Sequence, residues 1–188
     1  MLLGNLLKSI NRKYSNIPIK GISFDSRKTK KKDLFFAIQG KKISGERFIN
    51  EAIEKGASAI VSNKNKKYKK ISIKVKDVRK SLAEASSNFY KKKPNNIIAV
   101  TGTNGKSSVA YFFFQILSFC KINAASIGTL GIISKKFNKK TELTSMDSLS
   151  LHKCLNILAK NKINNVILEA SSHGLNQKRL DNLNIKIG

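Results

Sequence analysis

The chain has 188 residues, of which 40% are hydrophobic and two are proline, so it can bury a core and does not read as a disordered tract. Its 37 basic and 11 acidic residues give a net charge of +26, which attracts polyanions at long range. Only Arg12, Arg27, Arg47, Arg79 and Arg179 among those basic residues offer a planar fork for phosphate; the lysine tracts are scattered without an aromatic platform for bases, which favours a solvated surface over a specific nucleic-acid site.

In chain order, Met1–Leu7 is too short and interrupted for a secretory signal. Residues 1–88 read as one α/β unit. Ile22–Phe24 and Leu34–Ile38 are predicted strands, separated by the polar turn Asp25-Ser26-Arg27. Phe48, Ile49, Ala52 and Ile53 fall on one face of a predicted helix over 46–55, with Gly56 as its C-terminal cap. Ala59–Val61 is a strand, and Val78, Leu82, Ala85 and Phe89 recur at helical spacing. Pro94-Asn95-Asn96 ends that helix, so residues 89–188 form a second unit. No window approaches 18 consecutive apolar residues, which excludes a membrane-spanning helix. Cys120 and Cys154 have no partner spacing and read as reduced packing residues of a cytoplasmic protein.

The second unit opens with the apolar run Ile97–Val100 and continues "TGTNGKSSVAYFFF". Glycines in such a place often mark only a tight turn. Here the strand-to-helix context favours a phosphate cradle, with Gly102, Thr103, Asn104, Gly105, Lys106, Ser107 and Ser108 around ATP. Lys106 would reach the outer phosphates and Ser107 would hold Mg²⁺, although Val100 stands where the full pattern has glycine. The next predicted strand, Val166–Leu168, ends in "EASSHGLNQKRLD". Strand, helix and strand imply a parallel sheet with ligands at its carboxyl edge. Singly, a strand-end Glu reads as a surface charge and a lone His as structural. Beside a phosphate loop, Glu169 reads as a metal carboxylate and His173 as a helper for a second ion. Gln177 and Arg179 are either ligand donors or a polar helix start.

"GTNGKSS" followed by "EASSHGLNQKRLD", with "FDSRKTKKKDLFFAIQGKKISGERFI" upstream, resembles the Mur ligase family, and within it the E-type branch through "SSHGL-x-Q-x-R". The resemblance covers nearly the whole chain. It implies a small N-terminal α/β UDP-binding domain followed by a truncated P-loop parallel-sheet ATPase domain. It also implies an ATP- and Mg²⁺-dependent amide ligase of peptidoglycan precursor synthesis, in which UDP-N-acetylmuramoyl-L-Ala-D-Glu is phosphorylated to an acyl phosphate and an amino acid's amine attacks. Lys106, Glu169 and His173 would be catalytic, with Ser107, Glu169 and His173 toward metal. Phe24, Ser26, Lys41, Lys42 and Ile43 would hold the uridine diphosphate end; Thr144, Ser145, Ser171, Gln177 and Arg179 would hold the muramoyl-peptide end. The protein is expected to be a monomer.

The chain departs from the family pattern at Lys32, Ser44, Ser107 and Thr144–Asp147, and ends before the family's carbamylated lysine and third domain. These 188 residues are therefore expected to bind ligands without forming product. Three rivals stand beside this reading. One is another ligase of the family. A second is a generic P-loop kinase or NTPase, which the 1–88 unit disfavours. The third is a basic module for anionic surfaces, which steep salt dependence without a nucleotide effect would favour.

Overall fold

In the computed structural model, residues 1–188 are described except Ser9, Lys41, Lys42, Lys67 and 140–144. The chain divides into two compact units, Met1–Phe89 and Tyr90–Gly188. Among the described residues no helix is long and apolar enough to cross a membrane.

The first unit is a four-stranded sheet in the order β1-β2-β3-β4, parallel throughout. Its strands are β1 (Gly21–Ser23), β2 (Asp33–Phe36), β3 (Ala59–Ser62) and β4 (Ile71–Lys74). Helix α1 (Ile49–Glu54) connects β2 to β3, and α2 (Val78–Phe89) follows β4. Every residue of β2 and β3 is buried, the pattern of parallel strands covered on both faces. Phe35, Ala37 and Ile60 pack with Ile49, Ala52 and Ala57 in one cluster.

Gly56 closes α1 as predicted. Its φ is +97°, its N–H donates to Ile53 O at 2.9 Å, and Ala57 N–H donates to Ala52 O at 3.0 Å. This is the paired bonding that a left-handed C-terminal cap makes. The helix start differs from the expected one. Gly45–Phe48 is a 3-10 turn capped by Ser44, and Phe48 is exposed. Three residues per turn, rather than 3.6, carry Phe48 off the face that Ile49 and Ala52 share.

The second unit is a five-stranded sheet in the order β7-β6-β8-β5-β9. Here β5 is Asn96–Val100, β6 Ala124–Gly128, β7 Gly131–Ser134, β8 Asn165–Glu169 and β9 Ile185–Ile187. All pairs are parallel except β6 with β7, which form an antiparallel hairpin. Helix α3 (Lys106–Phe119) follows β5, α4 (Ser148–Lys160) precedes β8, and the short α5 (Ser172–Asn176) follows it. Leu151, Cys154, Leu155 and Leu158 of α4 pack on Ile97, Ala125, Ile127, Val166 and Leu168. Asp147 caps α4, accepting the Ser150 N–H at 2.9 Å, an arrangement worth about 1 kcal/mol.

The two cysteines part company. Cys154 is in that core, where burial pushes its thiol up to about 12. Cys120 caps the end of α3 and is exposed, so it is not a packing residue.

His152 is fully buried on α4, with Nε2 3.3 Å from Asp181 O and Nδ1 without a partner among the described residues. Burial, and secondarily the Lys93 charge, lower its pKa to about 4 against the Asp181 carbonyl's opposing pull. The unfolded chain, with histidine near 6.5, therefore binds a proton that the folded chain refuses between those values. The His152 contribution to stability is flat above that window and falls as pH drops through it, by about 1.4 kcal/mol per unit. Urea unfolding followed at the α4 amides by NMR should show wild type losing about 2 kcal/mol between pH 6.5 and 5. His152→Phe should show no such slope.

Candidate nucleotide and substrate site

Residues 101–105 form the exposed loop between β5 and α3. Gly102 and Gly105 have φ of +144° and +78°, values that strain any side chain. Gly105 is the N-cap of α3, makes no side-chain cap, and faces open space where a Cβ would lie. The helix therefore begins with backbone amides and its positive dipole end ready for an anion. Lys106 folds back over the loop, donating from Nζ to Gly102 O at 2.6 Å and Thr103 O at 3.1 Å. Thr103, Asn104 and Ser108 are exposed around it. Val100 explains its own departure from the glycine pattern: it is the last residue of β5, paired with Glu169 across the sheet. A strand residue needs no left-handed backbone, so the glycine requirement begins at position 102.

Glu169 ends β8 and is 3% exposed, so it is not the surface charge that a strand-end acid usually is. Its Oε1 accepts the Thr129 N–H at 2.9 Å. Its Oε2 accepts the Thr129 hydroxyl at 2.9 Å and the Ser107 hydroxyl at 3.0 Å. A buried carboxylate is tolerable only with such donors. Ser107 comes from the first turn of α3, so one bond ties the phosphate loop to the carboxylate. A hydroxyl and a carboxylate oxygen on adjacent elements are hard donors that suit a magnesium ion completed by phosphates and water. Among the described residues no group of three or more His, Cys, Asp or Glu gathers to hold a metal by itself.

A second network runs beside the first. The Ser145 hydroxyl is 3.1 Å from Glu169 O and 3.0 Å from the Ser171 hydroxyl, and accepts the Ser171 N–H at 3.1 Å. Ser171 caps α5 by accepting the Gly174 N–H at 3.0 Å. Arg179 donates to Ser145 O through Nη1 and to Gln177 Oε1 through Nε and Nη2, at 3.1 and 2.8 Å. The Gln177 amide lies 2.7 Å from His173 Nε2. The structure thus joins Ser145, Ser171, His173, Gln177 and Arg179 into one network behind Glu169. Thr144 lies outside the described residues.

In the first unit, Asp25 accepts two parallel bonds from Arg27, both at 2.9 Å, and caps the 3-10 turn Ser26–Lys28. Those Arg27 bonds hold the Asp25 carboxyl below its usual range, against the opposing effect of burial. The Ser26 hydroxyl turns inward and donates to Glu51 at 2.6 Å, a partner the sequence did not suggest. Phe24 is half-buried and Ile43 exposed. Lys41 and Lys42 lie outside the described residues.

Two family models match this chain: the Mur ligase middle domain over residues 100–188 and the Mur ligase family catalytic domain over residues 18–90. The chain belongs to the Mur ligase family. The UDP-N-acetylmuramoyl-L-alanyl-D-glutamate–2,6-diaminopimelate ligase of Rickettsia montanensis is 44% identical over 95% of this chain and 38% of its own. A solved structure of a ligase of that same name superposes with a TM-score of 0.85, at 30% identity, over 98% of this chain and 39% of its own. A MurF ligase from Thermotoga maritima in complex with ADP shares the fold, with a TM-score of 0.54 at 23% identity over 81% of this chain and 32% of its own. The chain thus spans about 38% of the length of the curated Mur ligases it matches.

Gly128 and Thr129, at the tip of the β6–β7 hairpin, are the site residues that sequence reasoning missed. The signal was present as "GTLG", a glycine-flanked turn of two residues. A Cβ at Gly128 would collide with the Glu169 carboxylate. Gly128→Ala should therefore destabilise the second unit by about 1–3 kcal/mol. In a Glu169→Ala background the same substitution should cost much less, which a double-mutant cycle in urea measures.

Proposed function

We propose that this chain is the part of a Mur ligase that binds the UDP-linked substrate and the ATP phosphates. The whole enzyme would phosphorylate the terminal carboxylate of UDP-N-acetylmuramoyl-L-Ala-D-Glu and couple it to an amine. The observation that carries this reading is the Ser107–Glu169 hydrogen bond beside a glycine-capped helix start. It sits in a chain whose first unit also matches a Mur ligase model, which a generic P-loop kinase or NTPase would not require. The relatives are named for 2,6-diaminopimelate, and we assign the same incoming amino acid here.

On this reading the α3 amides and Lys106 hold the triphosphate, Lys106 exchanging its loop carbonyls for phosphate oxygens. Ser107 and Glu169 would hold Mg²⁺, which would offset charge on the transferring phosphoryl group. His173 would help to hold a second ion. Arg179, with Gln177, Ser145, Ser171 and Thr144, takes the muramoyl-peptide end, where a guanidinium fork suits a carboxylate. Phe24, Ser26 and residues 41–43 take the uridine diphosphate end; the inward Ser26 hydroxyl leaves that residue's backbone as the contact. A cytoplasmic setting follows from the nucleotide substrates.

ATP with Mg²⁺ should raise the melting temperature of the second unit, and Lys106→Ala should abolish that rise. Equal responses from wild type and variant would remove the phosphate-loop assignment. UDP-N-acetylmuramoyl-L-Ala-D-Glu should shift the backbone amides near 24–26 and 43 in NMR spectra. Shifts confined to the second unit would remove the role given to the first.

A further inference from the structure

Thr129 is unusual among the residues around Glu169 because it grips both carboxylate oxygens. Its N–H reaches Oε1 and its hydroxyl reaches Oε2, each at 2.9 Å. The Glu169 side chain also lies so close across Gly128 that no Cβ fits between them. Gly128 pairs with Gly131, so Thr129 and Leu130 alone make the turn of the hairpin. The backbone of that turn is thereby fixed with respect to the sheet whose adjacent strand ends in Glu169.

Ser107 is the third donor, and it shares one carboxylate oxygen with the Thr129 hydroxyl. A hydroxyl has one proton and two lone pairs, so Ser107 can donate to Glu169 and still offer a lone pair to a cation. Of the three donors described, the two from Thr129 belong to the hairpin of the same sheet, whereas Ser107 belongs to the helix that follows the phosphate loop. From this the geometry points to Thr129 as the positioning residue that holds the Glu169 carboxylate in place for a divalent cation at the phosphate loop. The inference rests on the nucleotide–Mg²⁺ reading above and assigns no contact between Thr129 and the metal or the nucleotide.

Removing a partner that orients a metal-binding carboxylate typically costs about tenfold or more in metal affinity. A purely structural Thr129 would change folding stability and leave the metal dependence of nucleotide binding alone. The two are separated by calorimetric titration of the non-hydrolysable ATP analogue AMP-PNP into the 188-residue chain, once with excess Mg²⁺ and once with EDTA. Thr129→Val keeps the branched shape and the backbone N–H and deletes only the hydroxyl.

The expected result is that Thr129→Val reduces the affinity gained from Mg²⁺ by about tenfold. Thr129→Ser should restore that gain to within about twofold, and all three proteins should bind alike in EDTA. If Thr129→Val fails to fold, as judged by the ligand-free melting curve, Thr129→Ala carries the comparison. A hydroxyl-deleted variant with the wild-type Mg²⁺ gain, or with equal losses in Mg²⁺ and EDTA, overturns the inference and leaves the nucleotide site standing. A wild-type chain that binds no AMP-PNP overturns the phosphate-loop reading and this inference with it.

Discussion

The parallel pairing of β5 with β8 sets Val100 opposite Glu169, and Ala170 N–H closes the ladder by donating to Val100 O at 2.8 Å. Most of the second unit's chemistry depends on that register. A shift by one residue would turn Glu169 to the opposite sheet face, because side chains alternate along a strand. That face carries Val166 and Leu168 against the apolar side of α4. The apolar packing therefore fixes the register, and the register delivers one carboxylate to the turn where the α3 helix begins. Parallel strands place their carboxyl ends on one edge, and it is there that loop, carboxylate and hairpin turn meet.

The charge composition frames this arrangement. Acids are scarce at 11 against 37 bases, and several have structural duties. Asp25, Asp77 and Asp147 each accept backbone N–H bonds at the start of a helical turn. Glu51 accepts the Ser26 hydroxyl and pairs with Lys55 at 2.8 Å. The Glu169 carboxylate instead takes three donors from two separated parts of the chain and is buried. Most of the described lysines are exposed, where a lone charge contributes little to stability. The mean positive field would favour anionic ligands in general, and the geometry around Glu169 is what restricts the choice.

Legibility in the sequence followed physical contrast. The β5–loop–α3 passage was readable because an apolar run, two glycines, a lysine and a helix-length apolar stretch differ sharply from one another. Gly56 was readable because only glycine takes +97° readily after a helix. By contrast β6, "AASIG", is made of small residues with weak strand signals, although all five are buried. Strand β4, "ISIK", alternates correctly but is only four residues long and lies beside a lysine-rich tract. Helix α4 carried a signal that the sequence reading passed over: Leu151, Cys154, Leu155 and Leu158 recur at helical spacing after the capping Asp147. Thr129 was invisible for a different reason: its importance comes from a partner forty residues away in sequence, and no local pattern encodes that pairing.

The central claim is that Ser107 and Glu169 form one cation-binding pair at the phosphate loop. A crystal structure of the chain with ADP and Mn²⁺, using the metal's anomalous signal, addresses it most directly. The account predicts a single strong peak within about 2.3 Å of both the Ser107 hydroxyl and a Glu169 carboxylate oxygen, with ADP phosphates on the α3 amides. A metal peak remote from Glu169, or phosphates bound away from residues 102–108, would contradict it.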